Sequence, residues 1–152
     1  MTGARTFRVT TSLADKMSRP GGRTAAAALT AATTALDGHR EAAMQTLVET
    51  LEQLQALAAA RDDAEYGQVY ERAAALLDLA GFFETGPLYD AAYSLCETSD
   101  GMRDNGAWHW PSIEVHLQAL GLILADDCRE TEASRTLLEG LAGVRERRAR
   151  RA

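Results

Sequence analysis

Residues 24–60 read TAAAALTAATTALDGHREAAMQTLVETLEQLQALAAA, and this stretch decides the fold class. Leu29, Ala32, Leu36, Ala43, Leu47, Leu51, Leu54 and Ala58 recur at helical spacing, and Met44 and Val48 widen the stripe. A stripe of that period is the mark of an amphipathic helix. Alanine, leucine, glutamate and glutamine are all strong helix formers, and Thr24 is a good N-cap. One long helix from Thr24 to about Ala60 is therefore expected. Gly38 costs about 1 kcal/mol relative to alanine in mid-helix. The helix either continues through it as an arm or breaks near Asp37-Gly38.

The remainder of the chain repeats the pattern in shorter units. Asp62 or Asp63 caps a second helix with Tyr66, Val69, Ala73, Leu76, Leu77 and Ala80 inward, and Gly81 stops it. Phe82 and Phe83 are expected to fold back onto the core. Thr85-Gly86-Pro87 opens a third helix, proline in its first turn, with Leu88, Ala91, Ala92, Leu95 and Cys96 on its core face. Arg103-Asp104-Asn105-Gly106 is turn chemistry. Trp108-His109-Trp110-Pro111 leads into a fourth helix carrying Ile113, Leu117, Leu120, Ile123 and Leu124, and Thr131 opens a fifth with Leu137, Leu138, Leu141 and Val144. Nothing alternates with period two, so no sheet is expected. Short connections join antiparallel neighbours. The expected fold is an all-α, four- or five-helix antiparallel bundle with one long helix. Its parts would be a polar lead-in over 1–22 (Leu13 and Met17 making one docked turn), a bundle over 23–144 and a basic tail over 145–152.

Composition limits the functions open to such a chain. The 152 residues carry a net charge of −6. Residues 145–151 hold five of the sixteen basic groups and one acid, leaving eleven basic against twenty-one acidic groups elsewhere. An acidic body repels phosphate backbones, which disfavours nucleic-acid binding, a helix-turn-helix reading included. The arginines of the tail suit the C-terminal end of a helix dipole. No apolar run approaches the roughly 18 residues needed to cross a bilayer. Met1–Thr10 has no apolar segment behind its arginines, so neither a membrane protein nor a secretory leader is expected. Cys96 and Cys128 are too few for a disulfide framework and point to a reduced, cytoplasmic chain.

Motifs for chemistry are scarce. There is no Gly-rich phosphate loop, Cys-x-x-Cys, His-Glu-x-x-His or Gly-x-Ser-x-Gly. His109, His116, Cys96, Cys128 and Asp127 are the available metal ligands, and they are scattered, whereas zinc sites show close-spaced pairs. Neither metal nor cofactor is expected. Ser94, Cys96 and His116 are the available nucleophile–base set, although Ser94 and Cys96 fall on different faces of one helix. No catalytic activity is expected. Trp108 and Trp110 read as a lid over the end of the bundle, with one indole sealing the core and the other free to anchor a partner.

Two resemblances add to this. Glu114-Val115-His116-Leu117-Gln118-Ala119-Leu120-Gly121 resembles the histidine phosphotransfer motif, in which a histidine precedes leucine, lysine and glycine. Here Ala119 or Gln118 stands where the lysine belongs, Gly121 falls one place late, and no lysine occurs in residues 17–152. A phosphoryl group needs nearby cations, so His116 is a disfavoured phosphoacceptor unless Arg72 or Arg103 folds over it. Separately, Ser18-Arg19-Pro20-Gly21-Gly22-Arg23-Thr24, Leu88-Tyr89-Asp90-Ala91-Ala92-Tyr93-Ser94-Leu95-Cys96 and Trp110-Pro111-Ser112-Ile113-Glu114-Val115-His116-Leu117-Gln118-Ala119-Leu120 stand out together. These three stretches are similar to small all-helical alphaproteobacterial proteins associated with chemotaxis and two-component signalling, the CheE-like proteins. That resemblance implies an accessory signalling role with no catalytic residues. The expected function is non-catalytic protein–protein interaction with a response regulator or phosphotransfer partner. The alternatives are phosphotransfer through His116 and a structural dimerisation module. A homodimer through Leu47, Leu51 and Leu54 is expected, with Trp108 and Trp110 as further partner contacts.

Overall fold

The structure is a computed structural model describing residues 24–149, and the chain divides into two units after Gly38. The lead-in over 1–22, with Leu13 and Met17, lies outside the described residues. Five helices account for nearly all of the rest, and no strand occurs among the described residues. The all-α class read from the sequence is what the chain adopts.

Helix α1 spans Ala25–Ala60, with Gly38 inside it. Thr24 caps it as expected: its Oγ1 accepts the Ala27 N–H at 3.1 Å, satisfying one of the orphan donors of the first turn. Thr30, Thr33 and Thr34 donate their hydroxyls back to the carbonyls of Ala26, Leu29 and Thr30. In the first unit, every residue from Thr24 to Gly38 is exposed. Leu29 and Leu36, expected in the core, are 69% and 49% exposed. Periodicity shows which way a face points and not whether anything covers it.

In the second unit the same stripe is core. Ala43, Leu47, Leu51, Leu54 and Ala58 are buried. Left-handed backbone at Arg61 ends α1, and Asp62 caps the 3-10 turn Asp63–Glu65 by accepting from the Ala64 N–H at 2.9 Å. Helix α2, Tyr66–Phe82, buries Val69, Ala73, Leu76 and Ala80. Tyr66 lies at the surface, contrary to expectation. Gly81 does not end the helix. A Cβ there would come within 3.1 Å of the Tyr89 ring, so its small size admits a close helix–helix approach. The turn is made instead by Glu84 and Gly86, both at positive φ. Phe83 folds inward as expected, while Phe82 stays exposed and meets it edge-on.

Helix α3, Pro87–Asp104, packs against α2, α4 and α5 and supplies much of the core: Leu88, Ala91, Ala92, Leu95 and Met102. Helix α4, Trp110–Ala125, turns Ile113, Leu117, Leu120 and Ile123 inward. Leu51 of α1 lies beside Gly121 of α4, and Arg61 pairs with Glu114 at 2.7 Å. Two successive left-handed residues, Asp127 and Cys128, reverse the chain. Thr131 and Ser134 then exchange side-chain-to-backbone bonds at 3.2 and 2.9 Å, a reciprocal cap on α5, Glu132–Ala149. Leu141 anchors α5, and Leu137, Leu138 and Val144 are half-buried. Because α5 continues to Ala149, Arg145 and Arg147 lie on the helix, and Arg145 pairs with Glu97 of α3.

Candidate functional site

His116 is fully buried where α4 faces α3. Its Nδ1 is 2.7 Å from the Ser112 carbonyl, which can only accept, so Nδ1 carries the proton. Nε2 is then the acceptor, and the hydroxyls of Ser94 and Thr98 donate to it at 3.1 and 3.4 Å. Both ring nitrogens are occupied by buried polar groups. A phosphoryl group on Nε2 would have to displace two hydroxyls in a place without solvent. Neither proposed cation supplies the missing positive charge: Arg72 bonds Gln53, and Arg103 pairs with Asp100 and lies over the Tyr70 ring. The structure thus joins Ser94 and His116, as the sequence allowed, within a packed interior.

Burial pushes the His116 imidazole below its ordinary value of 6.5, the Ser112 bond works in the opposite direction, and Arg145 lowers it further. A depressed folded-state value means that the unfolded chain binds the proton more readily. The stability tied to neutral His116 is therefore present above about pH 6.5 and is lost as pH falls below it. The urea midpoint of the wild type is expected to drop on acidification from pH 7 to 5. His116→Gln should lower the midpoint at pH 7 and flatten that slope. An unchanged slope in the variant would assign the acid sensitivity to other groups.

Of the two indoles expected to contact a partner, Trp110 seals the core instead, which removes it from the partner-facing residues. Trp110 is buried, and its Nε1 donates to Asp63 at 2.8 Å, tying the start of α4 to the 3-10 turn. Trp108 is half-buried and sits between Tyr66 and Trp110, with both ring centroids 5.4 Å away. Its own Nε1 is buried without an acceptor. Pro111 is exposed. His109, whose role the sequence reading missed, is the N-cap of α4: its Nδ1 accepts the Ser112 N–H.

Leu47, Leu51 and Leu54 do not form a dimer surface. They are buried in the second unit's own core together with Val69, Leu95 and Leu120. The exposed apolar residues of α1 lie earlier on the same stripe, at Leu29 and Leu36. Burial raises the Cys96 thiol to about 11, with Asp78 and Asp100 adding to the effect, and burial likewise raises Cys128. Neither is a ready thiolate near neutral pH. No three of His, Cys, Asp and Glu converge as a metal site among the described residues. No described helix is long and apolar enough to cross a membrane.

What the inward-facing reading of α4 overlooked is its outer face. Residues 115–125 contain no charged side chain, and Gln118 is the one polar residue on their exposed side, whereas large apolar side chains on such a run are normally covered. Yet Val115 and Leu122 are 42% and 59% exposed. The missed signal was this uncharged run itself. No family model matches the chain, and no curated protein or solved structure is significantly similar to it.

Proposed function

We propose that this chain is a non-catalytic protein-interaction module of bacterial signal transduction, docking a response regulator or phosphotransfer protein by helix-face contact. The observation that supports the reading is the exposed stripe of α1. Residues 25–36 contain only alanine, threonine and leucine. Large exposed apolar patches on a solvated protein mark interaction surfaces. The threonine hydroxyls are already bonded to the helix's own carbonyls, so the face offers mainly methyl groups. Helix-in-groove recognition uses anchors at this spacing. The signalling context is carried by the CheE-like resemblance of three sequence stretches.

The test is affinity capture from an alphaproteobacterial lysate, with the captured proteins identified by mass. The wild type is expected to retain a response regulator or phosphotransfer protein, and Leu29→Glu/Leu36→Glu to lose it with an unchanged thermal melt. Equal retention by the variant would take docking away from α1. Capture of no signalling protein would remove the signalling reading.

A further inference from the structure

Two of the chain's three histidines, His109 and His116, stand at the start of α4, and one residue joins them. Ser112 offers its backbone N–H to the His109 carbonyl and, at 3.3 Å, to the His109 Nδ1, and its hydroxyl lies 2.8 Å from that same nitrogen. The Ser112 carbonyl accepts the Nδ1–H of His116 at 2.7 Å. Nε2 of His116 in turn accepts from Ser94 and Thr98 of α3. Each imidazole thus works through a lone pair: on His109 it caps α4, and on His116 it fastens α4 to α3. A proton on either ring turns that lone pair into a donor. At His109 the new donor meets the Ser112 N–H, which is a donor already. At His116 the two hydroxyls can turn round to accept, but a full charge then sits in a completely buried place.

The charged groups on the packed elements are engaged elsewhere. Glu97 of α3 pairs with Arg145 of α5, and Asp100 of α3 with Arg103. Glu114 of α4 pairs with Arg61 at the end of α1, and Asp63 of the 3-10 turn accepts from Trp110. Arg145 opposes a positive charge on His116, and burial keeps the Cys96 thiol of α3 neutral. From this arrangement we infer that the start of α4 is an acid-released clasp: protonation of His109 and His116 frees its first two turns, and the Trp108–Trp110 lid with them, while the rest of the bundle stays folded. The closed form needs both lone pairs, so the open form binds protons more readily. Closure is favoured towards neutral pH and weakens as pH falls. The device goes beyond the interaction reading and does not depend on what the chain binds.

The test is hydrogen exchange on the full chain between about pH 7 and 5, the range in which imidazoles ordinarily change charge, with each rate corrected for its intrinsic pH dependence. The Ser112 amide and the Trp110 indole N–H are expected to be less protected than the amide of fully buried Leu95 on α3, as a local opening requires. Their protection is expected to fall on acidification by about fivefold for each proton taken up, the ratio that follows from losing one cap or one hydrogen bond. His109→Asn keeps a capping acceptor that does not titrate and is expected to remove one of the two steps. His116→Gln is expected to remove the other, and His39→Gln, at an exposed site on α1, neither. Imidazole nitrogen shifts in the wild type give the same assignment without a core substitution, both rings taking up their protons where protection falls. Equal protection at Ser112 and Leu95 marks global unfolding and overturns the inference. So does protection that is constant with pH, or that falls as steeply in His109→Asn as in the wild type.

Discussion

Leu54→Glu is expected to remove the folded state, with no soluble monomer released from a dimer. Leu54 is completely buried and belongs to the cluster that includes Val69, Ala73, Leu95 and Leu120. A carboxylate there must be desolvated or must take up a proton, and the leucine's packing is lost in either case. Costs above about 4 kcal/mol belong to this class of substitution, against a total of roughly 5–15 kcal/mol for an ordinary domain. Leu29→Glu makes the same chemical change on the same helical stripe at an exposed site. Its expected effect on the melt of the isolated chain is within about 0.5 kcal/mol. Far-ultraviolet circular dichroism melts of the two variants measure the contrast directly. A Leu54→Glu protein melting like the wild type would show that the C-terminal half of α1 is not core.

Trp110→Ala is the second large effect. The substitution empties a buried indole site, removes the donor to Asp63 and takes away the edge contact with Trp108. Large-to-small changes of aromatic core residues cost about 3–5 kcal/mol. Trp108→Ala should cost distinctly less. Its ring is only half-buried, and its Nε1 is enclosed without an acceptor, so deletion also relieves a desolvated donor otherwise worth roughly 1–3 kcal/mol. Urea midpoints at constant slope give both values. Equal losses would mean that the two indoles act as one packed unit. Small losses for both would release the Trp108–Pro111 segment from a structural role.

Much of the fold was legible because helix signals are local. The Thr24 cap, Pro87 at the first turn of α3, the Thr131 start of α5 and the inward residues of α3 all follow from backbone geometry and from spacing within one turn or two. The errors share one origin. Tyr66, Phe82, Leu29 and Leu36 have the polarity and phase of core residues, and only neighbours distant in sequence determine whether such a side chain is covered. Gly81 was read as a stop because glycine usually ends helices by adopting positive φ. Its actual use, room for the Tyr89 ring, depends on a residue of the next helix.

The candidate site divides along the same line. From sequence, His116 had the helix that a phosphoaccepting histidine needs but no lysine beside it, and that lack already opposed phosphotransfer. The bonds from Ser94 and Thr98 on α3 to its Nε2 needed the helices to be assembled. The sequence by itself determined the all-α class, the order of the described helices and the lack of a recognisable catalytic motif, since each is written in residue types and short spacings. Only the tertiary structure decided which apolar stripes are core and which remain uncovered. Burial is a property of the surface left after helices pack, and Leu54 and Leu29 lie on one stripe of one helix with opposite fates.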